Sequence, residues 1–192
     1  LAIHWGSPCS IFRPINQDYA KEEAVKRGLL PRSIVEADYI IFCPRTIVPI
    51  QNIHKIIEGF KEFLNNHKVN AKLILIGANA DRQYTKSVLF LISKLRIKSS
   101  VYIINNFLDE EEMNILYNAS DVIISIPLHD QFSSSVVEAM LCGKPIIASS
   151  GIIAYKEHLK HMKSAILIHP SGNEVAKALA ILYNNKDLAT CI

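Results

Sequence analysis

The chain has 192 residues, 49% of them hydrophobic and 20% charged, which is enough for one sizeable core and too little for two. Its formal charge of +3 is spread along the sequence, so no basic stripe marks a nucleic-acid partner, and a small anionic ligand suits it as well. No apolar run approaches the roughly 20 residues that a membrane helix needs, and the first residues lack the basic, apolar and small-residue succession of a signal peptide.

The stretch up to Arg32 holds Gly6, Pro8, Pro14 and Pro31 around a charged segment, 21–27, and reads as a linker with a short helix rather than a core element. A short apolar run at 39–43 predicts the first strand. From Ile50 onward, Ile53, Ile56, Ile57, Phe60, Phe63 and Leu64 form the stripe of an amphipathic helix. The alternation then repeats. A strand at 73–76 is closed by Gly77, a helix runs through 88–95, and a strand at 101–104 precedes a helix opened by the acidic run 109–112. Strand 122–126, helix 134–142, strands 146–148 and 165–168, and a helix over 173–183 complete the chain. Strands buried on both faces read as continuous Val and Ile runs, as VIISI, PIIA and AILI do. The prediction is an α/β, Rossmann-like doubly wound parallel sheet of about six strands.

The cysteines at 9, 43, 142 and 191 form no C-x-x-C pair and have no histidine at zinc-ligand spacing. Reduced thiols of a cytosolic protein are therefore expected, with neither a structural metal nor a disulfide frame. Because the chain opens on Leu1, it is expected to be a piece of a longer one.

In a doubly wound sheet, ligands bind beyond the C-terminal strand ends where the strand order reverses, which singles out residues 44–52, 77–81 and 127–135. The third loop is the most informative. LHDQFSSSVVEAMLCGKPIIAS sets Asp130 in a loop and Glu138 eight positions later, inside the following helix. Ser133 or Ser134 is a natural N-cap there. The next backbone N–H groups, backed by the helix dipole, suit a diphosphate. With phosphate at that helix start, Glu138, about one turn in, could accept hydrogen bonds from both ribose hydroxyls. Gly143 can close the helix in the left-handed conformation, with Pro145 following.

These residues resemble the retaining, group-4-like branch of the glycosyltransferases with the GT-B fold, also called glycosyl transferases group 1. Its C-terminal, donor-binding domain carries an acidic residue, seven intervening positions and a glutamate before A-M-x-x-G-x-P. Here the run is D-QFSSSVV-E-AMLCGKP. PRTIVPIQNIHKIIEGF resembles that domain's first loop and helix, NNFLDEEEMNILYNASDVIIS the segment before the motif, and GSPCSIFRP the linker entering the domain. The resemblance implies a linker segment over 1–35, a donor domain over 36–192 and an acceptor-binding N-terminal domain outside this chain.

The same resemblance implies roles. Glu138 would hold the ribose, Asp130 and the backbone of Phe132 and Ser133 the transferred sugar, and Ser134 and Ser135 the phosphates. Arg45 would stabilise the leaving diphosphate, so Arg45 and Asp130 form the catalytic pair. The donor would be a UDP- or GDP-sugar, with no metal or other cofactor. Membrane association would come through the absent domain, at the inner face of a membrane. Two positions depart from the pattern. Family members pair the arginine with a lysine five or six residues on, where this chain has Ile50 and Gln51; Gln51 is counted in the donor-binding set, and one phosphate charge is missing unless Lys55 or another cation substitutes. The loop acid is Asp130 where glutamate is commoner.

Rival readings are weighed on the same residues. Paired carboxylates also serve glycoside hydrolysis, but such a pair must flank one bond. A nicotinamide dehydrogenase would need a glycine fingerprint that is missing, and Gly77 with Asn79 reads as a turn that ends a strand. His158 and His161 are three apart without a third ligand and read as surface residues, whereas His129 lies in the site loop. An epimerase-like enzyme of the same fold and a degenerate, non-catalytic binding domain remain as alternatives.

Overall fold

The computed structural model describes residues 7–191; Leu1 and Gly6 of the linker reading lie outside them, as does Ile192. Six strands form a single parallel sheet in the order β3-β2-β1-β4-β5-β6. Helices α1 (Gln17–Lys26) and α2 (Arg32–Val35) come first, followed by β1 (Tyr39–Thr46), α3 (Ile53–Asn66), β2 (Ala71–Ile76), α4 (Arg82–Lys94) and β3 (Val101–Ile104). After the crossover come α5 (Glu110–Ala119), β4 (Val122–Ser125), α6 (Ser134–Leu141), β5 (Ile146–Ser149), α7 (Ile153–His158), β6 (Ile166–Ile168), α8 (Gly172–Asn184) and α9 (Lys186–Cys191). Strand order reverses between β1 and β4, and the loops leaving these two strands flank the crevice where such sheets take ligands.

The alternation of strand side chains divides the core in two. Ile41, Cys43, Leu73, Leu75, Ile124 and Ile147 meet α3, α4 and α8 on one face. Ile40, Phe42, Ile74, Ile123, Ile146 and Ala148 meet the helices of the other, with Tyr117 and Tyr155 fully buried among them. On the first face Gly59 allows α3 and α8 to cross closely, since a Cβ there would come within 2.4 Å of the Gly172 carbonyl oxygen.

Helix starts follow their caps. Asp109 and Glu112 form a reciprocal capping box on α5, so the acidic run is a helix N-terminus, and Asp81 caps α4. Gly143 closes α6 at φ 64°, with its own N–H on the Met140 carbonyl and that of Lys144 on the Ala139 carbonyl, the paired bonds of a Schellman ending. Gly77 ends β2 in a turn.

Three expectations need correction. The stretch read as a linker belongs to the core. Phe12, Ala24, Leu29 and Leu30 are buried, α1 packs on α5, and the fully buried Asn118 side chain accepts the Ile15 N–H at 2.9 Å and donates to the Arg13 carbonyl at 3.0 Å. Alanines spaced for helix packing were masked there by the charged residues between them. The helix read from Ile50 starts at Ile53, because Pro49–Gln51 forms a single 3-10 turn first and Asn52 takes φ 55°. Helices α7 and α9 went unread because six residues are too few for a periodic stripe.

Candidate active site

Arg45 reaches the crevice because β1 breaks its register. Cys43 pairs with Leu75 and Thr46 with Ile76, so Pro44 and Arg45 form an extra pair on β1. Proline has no N–H for the ladder, and a bulge accommodates it while re-aiming the next side chain. Arg45 therefore lies inside β1, not beyond it as the sequence suggested.

Every nitrogen of the Arg45 guanidinium is engaged. Nε donates to Gln51 Oε1 at 2.9 Å, Nη1 to Ser133 Oγ at 2.5 Å and Ser135 Oγ at 3.2 Å, and Nη2 pairs with Asp130 Oδ2 at 3.1 Å. Five residues singled out from the sequence thus meet, from two loops. Those loops are stitched together by Asn52 Nδ2 on the Ile126 carbonyl (2.9 Å) and the Leu128 N–H on the Ile50 carbonyl (2.8 Å).

Helix α6 begins beside this cluster. Ser133 occupies the N-cap position expected for it, but its hydroxyl bonds the Arg45 and Ser135 side chains and makes no capping bond to a backbone N–H of the helix. Val136 and Val137 donate to the Ser133 carbonyl, which leaves the N–H groups of Ser134 and Ser135 without a protein acceptor among the described residues. These donors and the positive end of the helix dipole open onto a cleft of about 490 Å³ lined by Arg45, Asp130, Phe132, Ser133, Ser134 and Glu138.

Glu138 sits one turn in, half-buried. Tyr117 donates its hydroxyl to Oε2 at 2.8 Å and Ser7 donates to Oε1 at 3.4 Å. Burial, then the charge of Glu138, pushes the Tyr117 phenol well above its usual range, so it stays a donor. Tyr155 plays the matching part for the loop acid, with its hydroxyl 3.3 Å from Asp130 Oδ2. Burial and then the charge of Asp130 push its phenol up to about 12. Neither tyrosine was singled out from the sequence, where each is an ordinary core aromatic, and no motif position marks it.

Gln51 is buried, and its Oε1 accepts the Arg45 Nε–H. Lys55 is turned to Glu58 at 3.2 Å and does not line the cleft. His158 is exposed, as expected of a surface residue; its ring lies 4.8 Å from that of Phe132, and with His129 it lines a neighbouring cavity of about 550 Å³. His161 Nδ1 accepts the Leu167 N–H. Among the described residues no three His, Cys, Asp or Glu side chains are grouped to hold a metal ion.

A parallel sheet ordered 3-2-1-4-5-6, with an arginine and a helix N-terminus facing each other at the reversal point, defines a Rossmann-like domain of the kind that forms the C-terminal half of GT-B glycosyltransferases. The family model for glycosyl transferases group 1 matches residues 31–191, and the chain belongs to that family. It is 26% identical over 122 residues to an uncharacterized glycosyltransferase of Methanocaldococcus jannaschii, covering 64% of this chain and 30% of that protein. HepE of Anabaena, crystallised with UDP and glucose, superposes with a TM-score of 0.84 at 19% identity over 98% of this chain and 48% of its own. The C-terminal domain of LpcC, a group 1 protein of Francisella tularensis, superposes at 0.81 with 20% identity over 97% of this chain and 92% of that one. The chain thus spans about a third of the archaeal relative and half of HepE.

Proposed function

We propose that this chain is the donor-binding half of a retaining glycosyltransferase, which moves a sugar from a UDP- or GDP-sugar to a saccharide or lipid-linked acceptor held by an N-terminal domain. The observation that carries the reading is the convergence of Arg45 with the start of α6, while Glu138 lines the same cleft. A diphosphate between the guanidinium and the N–H groups of Ser134 and Ser135 would have its charge balanced from both sides, most strongly as the bond to the sugar breaks. Glu138 would take the ribose hydroxyls, and Asp130 with the backbone at Phe132 and Ser133 the sugar. The base would extend toward residues 105–107, where a cavity of about 290 Å³ includes Tyr102 and the exposed Phe107. No side chain is assigned as a nucleophile, in keeping with same-face attack by the acceptor on an oxocarbenium-like centre. Polysaccharide assembly in the cytoplasm, with any membrane contact made by the N-terminal domain, completes the proposal.

Calorimetric titration of this chain with UDP, GDP and their sugar conjugates tests it. Saturable binding of one nucleotide is expected, reduced roughly 10- to 100-fold in both Glu138→Ala and Arg45→Ala through loss of a charged hydrogen-bond partner. No binding to any of them would sink the reading.

One observation favours a second reading, a sugar-nucleotide-binding domain that does not transfer. The position of the family's second cation holds Gln51, and Lys55 is paired elsewhere. Assaying transfer with the N-terminal domain restored separates the two, since binding without turnover would favour the second.

A further inference from the structure

The ion pair between Arg45 and Asp130 lies in the cleft that the donor-binding reading gives to the phosphates. Its two side chains are only 20% and 17% exposed, so bulk solvent screens the pair weakly. A phosphate engages arginine best through two parallel N–H groups on neighbouring nitrogens. Nε and Nη1 are bonded by neutral groups of this chain and Nη2 by Asp130, so a phosphate fork that includes Nη2 meets a charged competitor there. Gln51, Ser133 and Ser135 are neutral and buried and can remain beside a phosphate. Asp130 carries the same sign of charge as the phosphate and lies in a loop between exposed His129 and Gln131.

On these grounds we infer that Asp130 competes with the diphosphate for Arg45 and thereby makes the site prefer the intact nucleotide-sugar to the spent nucleoside diphosphate. The inference rests on the donor-binding reading. When phosphate takes the guanidinium, Asp130 keeps the Tyr155 hydroxyl, 3.3 Å from Oδ2, as an anchor, and the lone pairs it had given to Arg45 become available. A sugar on the diphosphate offers hydroxyls to those lone pairs, which offsets the lost ion pair. A bare nucleoside diphosphate offers none, so it meets the competition in full and leaves more readily. Asp130 thus acts on the diphosphate through Arg45, as a positioning residue, and on the sugar directly.

The test compares affinities of UDP with UDP-glucose, and of GDP with GDP-mannose, for the chain and for Asp130→Asn, Asp130→Ser and Asp130→Glu. Without the carboxylate, the Asn and Ser variants are expected to bind the nucleoside diphosphate about three- to tenfold more tightly, the range of an ion pair worth roughly 1 kcal/mol. The sugar conjugate gains less or weakens, so the ratio of the two affinities shifts toward the diphosphate, while Asp130→Glu keeps the original order. Structural damage would weaken both ligands together, so a tightening is a readout that misfolding does not produce. If the unaltered chain binds a nucleotide and neither neutral variant binds the diphosphate more tightly, the inference falls and the donor reading stands. If neither the chain nor any variant binds a nucleotide, both fall together.

Discussion

The two faces of the sheet are built by different rules. The face under α3, α4 and α8 is almost wholly apolar, and its closest feature is the backbone approach of Gly59 to Gly172. The face under α1, α5, α6 and α7 buries Asn114, Asn118, Tyr117 and Tyr155, and the tips of both tyrosines reach carboxylates that line the cleft. One face holds the domain together chiefly by packing. The other combines packing with a polar framework that holds Glu138 and Asp130 in place, because a buried hydroxyl or amide is stable only when bonded.

The largest expected effect breaks the apolar face. Gly59→Ala sets a Cβ 2.4 Å from the Gly172 carbonyl and 2.5 Å from Val175 Cβ, and the loss in urea denaturation is expected to be about 3 kcal/mol or more. A midpoint equal to that of the parent chain would show that α3 and α8 slide apart freely.

On the polar face, Asn118→Ala strands the Ile15 N–H and the Arg13 carbonyl at once and should lower stability by about 2 kcal/mol. It should also speed protease cleavage in the segment preceding α1. Unchanged cleavage there would mean that the segment is held by Phe12 and the alanines alone.

Tyr117→Phe keeps the ring and removes the hydroxyl from Glu138. Stability is expected to move by about 1 kcal/mol at most, while nucleotide affinity falls severalfold by calorimetry, since the carboxylate loses the donor that orients it. Equal affinity would make Tyr117 packing only.

The smallest effect belongs to the apolar face. His54 Nδ1 is 2.7 Å from the Tyr84 hydroxyl, which also accepts the His54 backbone N–H. Burial, then the charge of Lys55, lowers the imidazole pKa from its ordinary value of 6.5. A base with a lowered folded pKa leaves stability unaffected above the unfolded value and reduces it as pH falls through that value. Stability should therefore decline as pH falls below about 6.5, and His54→Gln should make that decline slightly shallower. An identical pH profile in the variant would assign the decline to carboxylates.

The apolar framework was legible in advance. Runs such as VIISI and PIIA, set between helical stretches, suit strands of a parallel sheet buried on both sides, and all six strands lie where the apolar runs stand. Helix ends were equally plain at the acidic run 109–112 and at Gly143, because their chemistry is local. Short helices and the α1 contact were not, since six residues carry no period and two alanines amid charges do not announce a partner.

The candidate site divides in the same way. Spacing and resemblance singled out Arg45, Gln51, Asp130, Ser133, Ser135 and Glu138, and these residue types at these positions follow from the sequence by itself. Only the folded chain decided that Gln51 and two serines grip Arg45, that Asp130 pairs with it, and that Tyr117 and Tyr155 support the two acids from within the core. Periodicity and capping are determined by neighbours along the chain. A hydrogen bond between residues 88 or 90 positions apart depends on where the sheet twist and the β1 bulge bring two loops, and that geometry exists only once the whole sheet has formed.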